Sequence, residues 1–239
     1  MKVLEAYIDA AIKAYFLEEG FTDSTVNLKG SSSSPKLNQP VFNFDTLKNI
    51  DDLSQLNSYV WSIFSGSKIG EGQGRMVFRI PNGKVLKAAK NAGGIAQNMT
   101  EINACTSEYA NNLFPKIFES DPEGKWLVAQ EAEPMTRVQF GNLTGMPWRE
   151  FISALGGAFS HKINRERTNQ GELTQNKINF DKFYSNAFFR KVIGAVKDCK
   201  YEPGDIAKID SWGIINGGPV VIDSGFTEDV NLAHYASNQ

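Results

Sequence analysis

Three glycines stand at alternate positions in the segment Ile69-Gly70-Glu71-Gly72-Gln73-Gly74. Because glycine has no Cβ, such a loop lets backbone N–H groups approach a phosphate closely. A strand pattern follows the glycines, whereas a dinucleotide-binding fold would need a helix there and a Walker loop would need a Gly-Lys-Ser/Thr ending. The segment therefore predicts a phosphate-binding loop between two strands, at Gly70, Gly72 and Gly74. The alternative is a turn with only a structural role.

A lysine on the next strand pattern would complete such a site. Side chains alternate along a strand, so Val85 and Lys87 share one face. Val85 would then lie under a nucleotide base while the Lys87 ammonium reaches the phosphates. Lys90 follows two alanines at a similar spacing and remains the alternative nucleotide lysine.

Two further positions are candidates for supporting that site. Glu101, fourteen residues after Lys87, lies within a helical pattern and could hold the lysine ammonium in position, with Glu108 as the second candidate. The segment after the next strands, at Glu131 and Ala132, is predicted to be a hinge whose backbone C=O and N–H groups face the edge of an adenine.

Acidic side chains flank a predicted hairpin near the C-terminal end. Asp205 and Asp223 are eighteen residues apart, and the hairpin returns the chain so that both carboxylates can face one cleft. Asp223 follows an apolar strand and precedes a small residue and a glycine, which suits a ligand of a hard cation such as Mg²⁺. Asp205 could orient an acceptor hydroxyl, and Asp210 or Ser211 could add a metal ligand or polar support.

The elements that must position these residues predict an α+β protein. Helical spacing of apolar residues indicates helices at 2–18, 44–64, 95–113, 147–163 and 180–200. Strand spacing begins at Lys68, and further strand patterns lie at 75–80, 85–90, 115–119, 126–130, 212–215 and 219–222. Asn82-Gly83 predicts a tight hairpin turn, and Gly93-Gly94 is expected to end the strand before the third helix. We predict a helical N-terminal extension with a Ser-rich linker (1–66), a five-stranded lobe (67–133) and a helical lobe (134–239).

Composition restricts the partners. The net charge is −2 and no long Lys/Arg tract is present, so a nucleic-acid-binding surface is not expected. No apolar run approaches the roughly 18 residues of a membrane span, so no membrane segment is expected. The two cysteines, Cys105 and Cys199, form no CxxC motif, which is typical of a reducing, cytoplasmic environment.

These motifs together resemble the protein-kinase-like superfamily, which includes the aminoglycoside and choline kinases. The similarity covers the chain from Gly70 to Gly225, and the chain most resembles short kinase-like proteins of tailed phages. In this resemblance residues 70–78 match the glycine-rich loop, Val85-Leu86-Lys87 matches the strand with the ATP lysine, and Glu101 matches the helix residue that pairs with it. Gly204-Asp205-Ile206 matches the catalytic loop, and Asp223-Ser224-Gly225 matches the metal site.

The resemblance implies a two-lobed fold that binds ATP and Mg²⁺ and transfers a phosphoryl group to a hydroxyl acceptor, in the cytoplasm of the cell or of a phage host. The alternative is a pseudokinase, a binding or virion-associated module without phosphotransfer. Pro203 stands where the family has a histidine, Asp210 stands where it has an asparagine, and the helical lobe is short. In that case the apolar stripe of the helix at 2–18 is the first candidate for a protein partner.

Overall fold

The computed structural model describes residues 44–104, 112–159, 170–223, 225 and 227–234. This part of the chain is α+β, as predicted. Its largest sheet has five antiparallel strands in the order β1-β2-β3-β5-β4. The strands are β1 (Lys68–Glu71), β2 (Arg75–Ile80), β3 (Lys84–Ala89), β4 (Ile117–Ser120) and β5 (Trp126–Gln130).

The hairpin between β2 and β3 turns at Asn82-Gly83, as the sequence predicts. Both residues have positive φ angles, 67° and 64°, which asparagine and glycine adopt more readily than other residues. With Pro81 they form the three-residue loop between the paired residues Ile80 and Lys84. The register pairs Val77 with Lys87 and Arg75 with Ala89. Arg75, Val77, Val85 and Lys87 consequently lie on the same face of the sheet.

Two helices cover the opposite face of this sheet. The pattern at 44–64 predicts one helix, but the structure divides it into α1 (Phe44–Lys48) and α2 (Leu53–Phe64). The break occurs because Asp52 caps α2, with its side chain accepting a hydrogen bond from the backbone N–H of Gln55 at 2.9 Å. Both helices share a hydrophobic core with the strands, so the predicted boundary at 66/67 does not separate two cores. The buried members of this core are Leu47, Leu56, Val60, Phe64, Met76, Phe78, Ile80, Leu86, Ala88, Trp126 and Val128.

Helix α3 (Ala92–Ala104) packs on the face that carries Lys87. It begins earlier than predicted and includes Gly93 and Gly94, because the Asn91 side chain caps it by accepting from the N–H of Gly94 at 3.0 Å. The predicted helical end at residue 113 is wrong, since residues 112 and 113 form a turn. Glu108 lies outside the described residues.

Most of the remaining helices surround a second core that is rich in aromatic side chains. The remaining helices are α4 (Arg137–Thr144), α5 (Trp148–Phe159), α6 (Gln170–Phe183) and α7 (Ala187–Asp198), followed by the single-turn α8 (Pro203–Ile206) and, after the last strands, by α9 (Glu228–His234). The continuous helix predicted at 180–200 is wrong, because Asn186 caps a new helix by accepting from the N–H of Phe189. Phe140, Phe151 and Trp212 meet in the centre of this core.

A small second sheet packs on the second core, to which it contributes Trp212 and Val221. Its strands are β6 (Glu133–Pro134), β7 (Trp212–Ile215) and β8 (Gly218–Val221), in that order and antiparallel. The hairpin of β7 and β8 was predicted, whereas β6, α4, α8, α9 and most of α6 were not. Over the described part of the chain, no helix is both long enough and apolar enough to cross a membrane. The predicted helix at 2–18 and the Ser-rich linker lie outside the described residues.

Candidate functional site

Lys87 and Glu101 form a buried ion pair between the sheet and α3. The Lys87 Nζ lies 2.6 Å from Glu101 Oε2, and both residues are only 6% exposed. Strand β3 aims Lys87 at the face on which α3 packs, and α3 presents Glu101 to that face. Among the sequence candidates, the structure therefore pairs Lys87, and not Lys90, with Glu101.

Arg75 completes this group of charges, and the sequence analysis did not single it out. Its Nη1 lies 2.7 Å from Glu101 Oε1 and donates to Asn98 Oδ1 at 3.3 Å, while Nη2 lies 2.7 Å from Asp223 Oδ1. We call Arg75, Lys87, Glu101 and Asp223 the charged cluster. The sequence could have indicated Arg75, because the predicted pairing of its strand with that of Lys87 places both side chains on one face of the sheet. A charged residue on that buried face must have polar partners.

The charges of this cluster set the protonation of Glu101. Burial alone would raise the pKa of Glu101, but the positive charges and hydrogen bonds of Arg75 and Lys87 outweigh it and hold that pKa below its ordinary value. Glu101 is thus an ionised carboxylate shared between two cations.

The segment after β8 brings Asp223 to the cluster from the far end of the chain. Lys87 Nζ donates a hydrogen bond to the carbonyl of Ile222 at 2.7 Å. Gly225 lies so close to α3 that a Cβ there would stand 2.8 Å from the Cβ and the carbonyl of Gln97. The backbone on both sides of Asp223 is therefore held against β3 and α3, while the Asp223 side chain remains 61% exposed.

Asp205 lies in α8, beside the cluster and not within it. Its carboxylate pairs with Lys208 at 2.5 Å and its side chain is 15% exposed. Burial raises the pKa of Asp205; the Lys208 hydrogen bond and charge lower it, the Asp223 charge raises it and the Arg75 charge lowers it, with a net pKa above the ordinary value. The charges of Asp223 and Arg75, two members of the charged cluster, are thus among the influences on Asp205.

The acidic side chains of the described residues restrict how the protein could bind a metal ion. Within the described residues, no three acidic, histidine or cysteine side chains form a group that could hold a metal ion, so Asp210 does not complete a set with Asp205 and Asp223. Mg²⁺ is commonly bound through one or two carboxylates, with phosphate oxygens and water as its other ligands. By donor chemistry, Asp223 fits that mode.

The glycine loop is fastened to the start of α3. The N–H of Gly72 donates to the carbonyl of Arg75 at 2.9 Å, so this N–H closes the hairpin. Lys90 Nζ lies 2.6 Å from Glu71 Oε1 and donates to the Gly72 carbonyl at 3.1 Å. A Cβ on Gly94 would stand 1.9 Å from the Gly74 carbonyl oxygen, so only glycine fits there. Lys90 thus braces the loop from its exposed side.

The predicted hinge at Glu131 and Ala132 connects β5 to β6, and so links the two sheets. The N–H of Glu131 donates to the carbonyl of Gly83 at 2.9 Å, which removes it from the groups predicted to face an adenine. Ala132 packs against β7, where a Cβ on Gly213 would come within 2.7 Å of the Ala132 Cβ. Val85 lies in a small apolar cluster with Leu127 and Ala129 on the Lys87 face of the sheet.

No protein-family model matches the chain, and a search of curated proteins finds no significant match.

Proposed function

We propose that this chain is a protein-kinase-like phosphotransferase, with the five-stranded sheet and α3 as one lobe and the segment from α4 onward as the other. It would bind ATP at the charged cluster and transfer the terminal phosphoryl group to a hydroxyl acceptor. The observation that carries the proposal is the 2.6 Å pair of Lys87 and Glu101, with Asp223 bonded to the same cluster through Arg75. Residues 135 positions apart meet there, since Lys87 also bonds the Ile222 carbonyl.

The positive groups supply what a triphosphate needs. Lys87 is held by Glu101 on the face that also carries Val85, so an apolar side chain for a base would lie beside an ammonium for phosphate oxygens. Phosphoryl transfer requires positioning and charge neutralisation more than covalent chemistry by the protein. A bound Mg²⁺ would neutralise phosphate charge, and Asp223 is the carboxylate that would hold it.

Asp205 is proposed to receive the acceptor's proton. The acceptor oxygen would form a bond to the γ-phosphorus as the bond to the β-phosphate oxygen breaks, ADP would leave, and the hydroxyl proton would pass to Asp205. A raised pKa suits a carboxylate for this role, because its conjugate acid is easier to form. Such a base contributes typically about 10²–10⁴-fold to the rate.

The test is phosphoryl transfer from γ-labelled ATP into cell extract, comparing the native chain with Asp205→Asn. We expect labelled products with the native chain, a loss of about 10²-fold or more in the variant, and retained ATP affinity. Asp198→Asn, an exposed acid in α7, is the matched control and should transfer normally.

A pseudokinase is the second candidate, because both acids already have cationic partners within the chain. Arg75 bonds Asp223 and Lys208 bonds Asp205. A protein of this kind would bind nucleotide and present a surface to a partner without transfer. ATP binding without label transfer by either the native chain or the Asp205→Asn variant would favour this candidate.

A further inference from the structure

The guanidinium of Arg75 is buried at the start of strand β2 among polar partners. Arg75 is 6% exposed, and its guanidinium contacts Glu101, Asn98 and Asp223. The fork of the guanidinium lets one side chain serve two carboxylates at once, which a lysine ammonium does less well. The charged cluster contains two cations and two anions, so it is neutral without any ligand.

Asp223 and Arg75 differ in their freedom to change partners. The Asp223 side chain is 61% exposed, whereas that of Arg75 is 7% exposed. The backbone near Asp223 is held by Lys87 at Ile222 and by the close packing of Gly225 on Gln97. The segment therefore stays in place if the carboxylate turns away, and Arg75 then remains at the site with part of its hydrogen-bonding capacity released.

We propose that Arg75 is an internal counter-ion of Asp223, and that a bound nucleotide takes the place of Asp223 as a partner of Arg75. This inference rests on the proposed nucleotide site. On binding, Asp223 releases Arg75 and faces a divalent cation, and the released Nη2 donates to a phosphate oxygen. Glu101 keeps its bonds to Nη1 and to Lys87, so two cations then point from one carboxylate toward the phosphates. Arg75 is thereby a phosphate-positioning residue whose availability Asp223 controls.

The experiment is a double-mutant cycle on the affinity for ATP measured by calorimetry in a metal chelator. Asp223→Asn weakens the hold on Arg75, so it should tighten metal-free ATP binding by about tenfold, the size of one hydrogen bond to a charged group. In the Arg75→Gln background the same change should gain less than about twofold. Arg190→Gln, which removes an exposed arginine of α7, is the matched control and should leave the tenfold gain intact.

The cycle separates release of Arg75 from simple loss of repulsion between Asp223 and phosphate. Repulsion predicts the same gain in both backgrounds, and that result, or no gain at all, overturns the inference. Should Arg75→Gln fail to fold by circular dichroism, Arg75→Lys replaces it, and the gain should still fall because one ammonium does not serve Glu101 and a phosphate equally. A native chain that binds no ATP even with Mg²⁺ overturns the proposed function itself, which is a different outcome.

Discussion

Glu101 is the side chain on which the charges of the site depend. It is the shared partner of Arg75 and Lys87, and all three are buried. Glu101→Gln leaves two buried cations without that carboxylate, which should lower the free energy of unfolding by about 3–5 kcal/mol at neutral pH. Urea unfolding monitored by fluorescence measures this loss, and Glu133→Gln, at an exposed position of β6, should change stability by less than about 0.5 kcal/mol.

The native chain and Glu101→Gln should also differ in how their free energies of unfolding depend on pH. The folded pKa of Glu101 lies below its ordinary value of 4.5. Its ionised form therefore stabilises the fold above that value, and the contribution disappears as the pH falls from there toward the folded pKa. We expect the stability gap between the native chain and Glu101→Gln to be constant at neutral pH and to narrow below about pH 4.5. A gap that stays constant into acid would contradict this assignment.

Lys87 and Lys90 make different contacts, and their substitution should separate binding from loop support. Lys87 bonds Glu101 and Ile222 in the interior, whereas Lys90 bonds Glu71 and Gly72 on the exposed side of the loop. Calorimetric titration with Mg·ATP should show that Lys87→Ala loses at least about tenfold more affinity than Lys90→Ala, because only the first removes a charged group from the proposed phosphate site. A larger effect of Lys90→Ala would place the phosphates on the other side of the loop.

At the scale of elements, the start of α3 and the glycine loop fit together through one missing Cβ. An alanine at Gly94 would place a methyl carbon 1.9 Å from the Gly74 carbonyl oxygen, so the helix or the loop must move. We expect Gly94→Ala to cost about 1–3 kcal/mol and to weaken nucleotide binding as well. Gly66→Ala is the control, since a Cβ there meets nothing within 4 Å. Equal stability and affinity of the two variants would argue against this packing.

Helices α1 and α2 are expected to support the sheet without touching the site. Leu56 is fully buried against the sheet face opposite Lys87. Leu56→Ala should lower the free energy of unfolding by about 2–5 kcal/mol, with unchanged ATP affinity when the protein is folded. Leu232→Ala, at a 63% exposed position, should be near neutral. Lost affinity in folded Leu56→Ala would mean that the two faces of the sheet are coupled.

At the scale of the whole molecule, local patterns predicted the strands better than the helix ends. Alternation and Asn-Gly turns specify a strand and its hairpin locally, and the β2–β3 pairing and its turn are confirmed. The helix ends depend instead on capping and close packing. Asn91 and Asn186 cap helices where periodicity alone predicted a later start or no break, and Gly94 serves close packing where it was expected to mark a break.

The part of the site that depends on local spacing was predictable from the sequence, and the part that depends on tertiary contacts was not. The spacing of Lys87 and Glu101 on a strand and the next helix indicated a pair, and the structure joins them. The contacts of Arg75 and Lys208 depend on where distant segments meet, so their roles follow only from the tertiary structure. The engagement of the Glu131 N–H by Gly83 is likewise a tertiary contact.

Thermal unfolding with Mg·ATP measures whether a nucleotide binds at the charged cluster. A ligand that binds only the folded state stabilises it by about 2.7 kcal/mol at 100 times its dissociation constant. We predict that millimolar Mg·ATP raises the melting temperature of the native chain and that Lys87→Ala loses most of this shift. An unchanged melting temperature of the native chain with ATP, ADP and GTP, each with Mg²⁺, would mean that the charged cluster is not a nucleotide site.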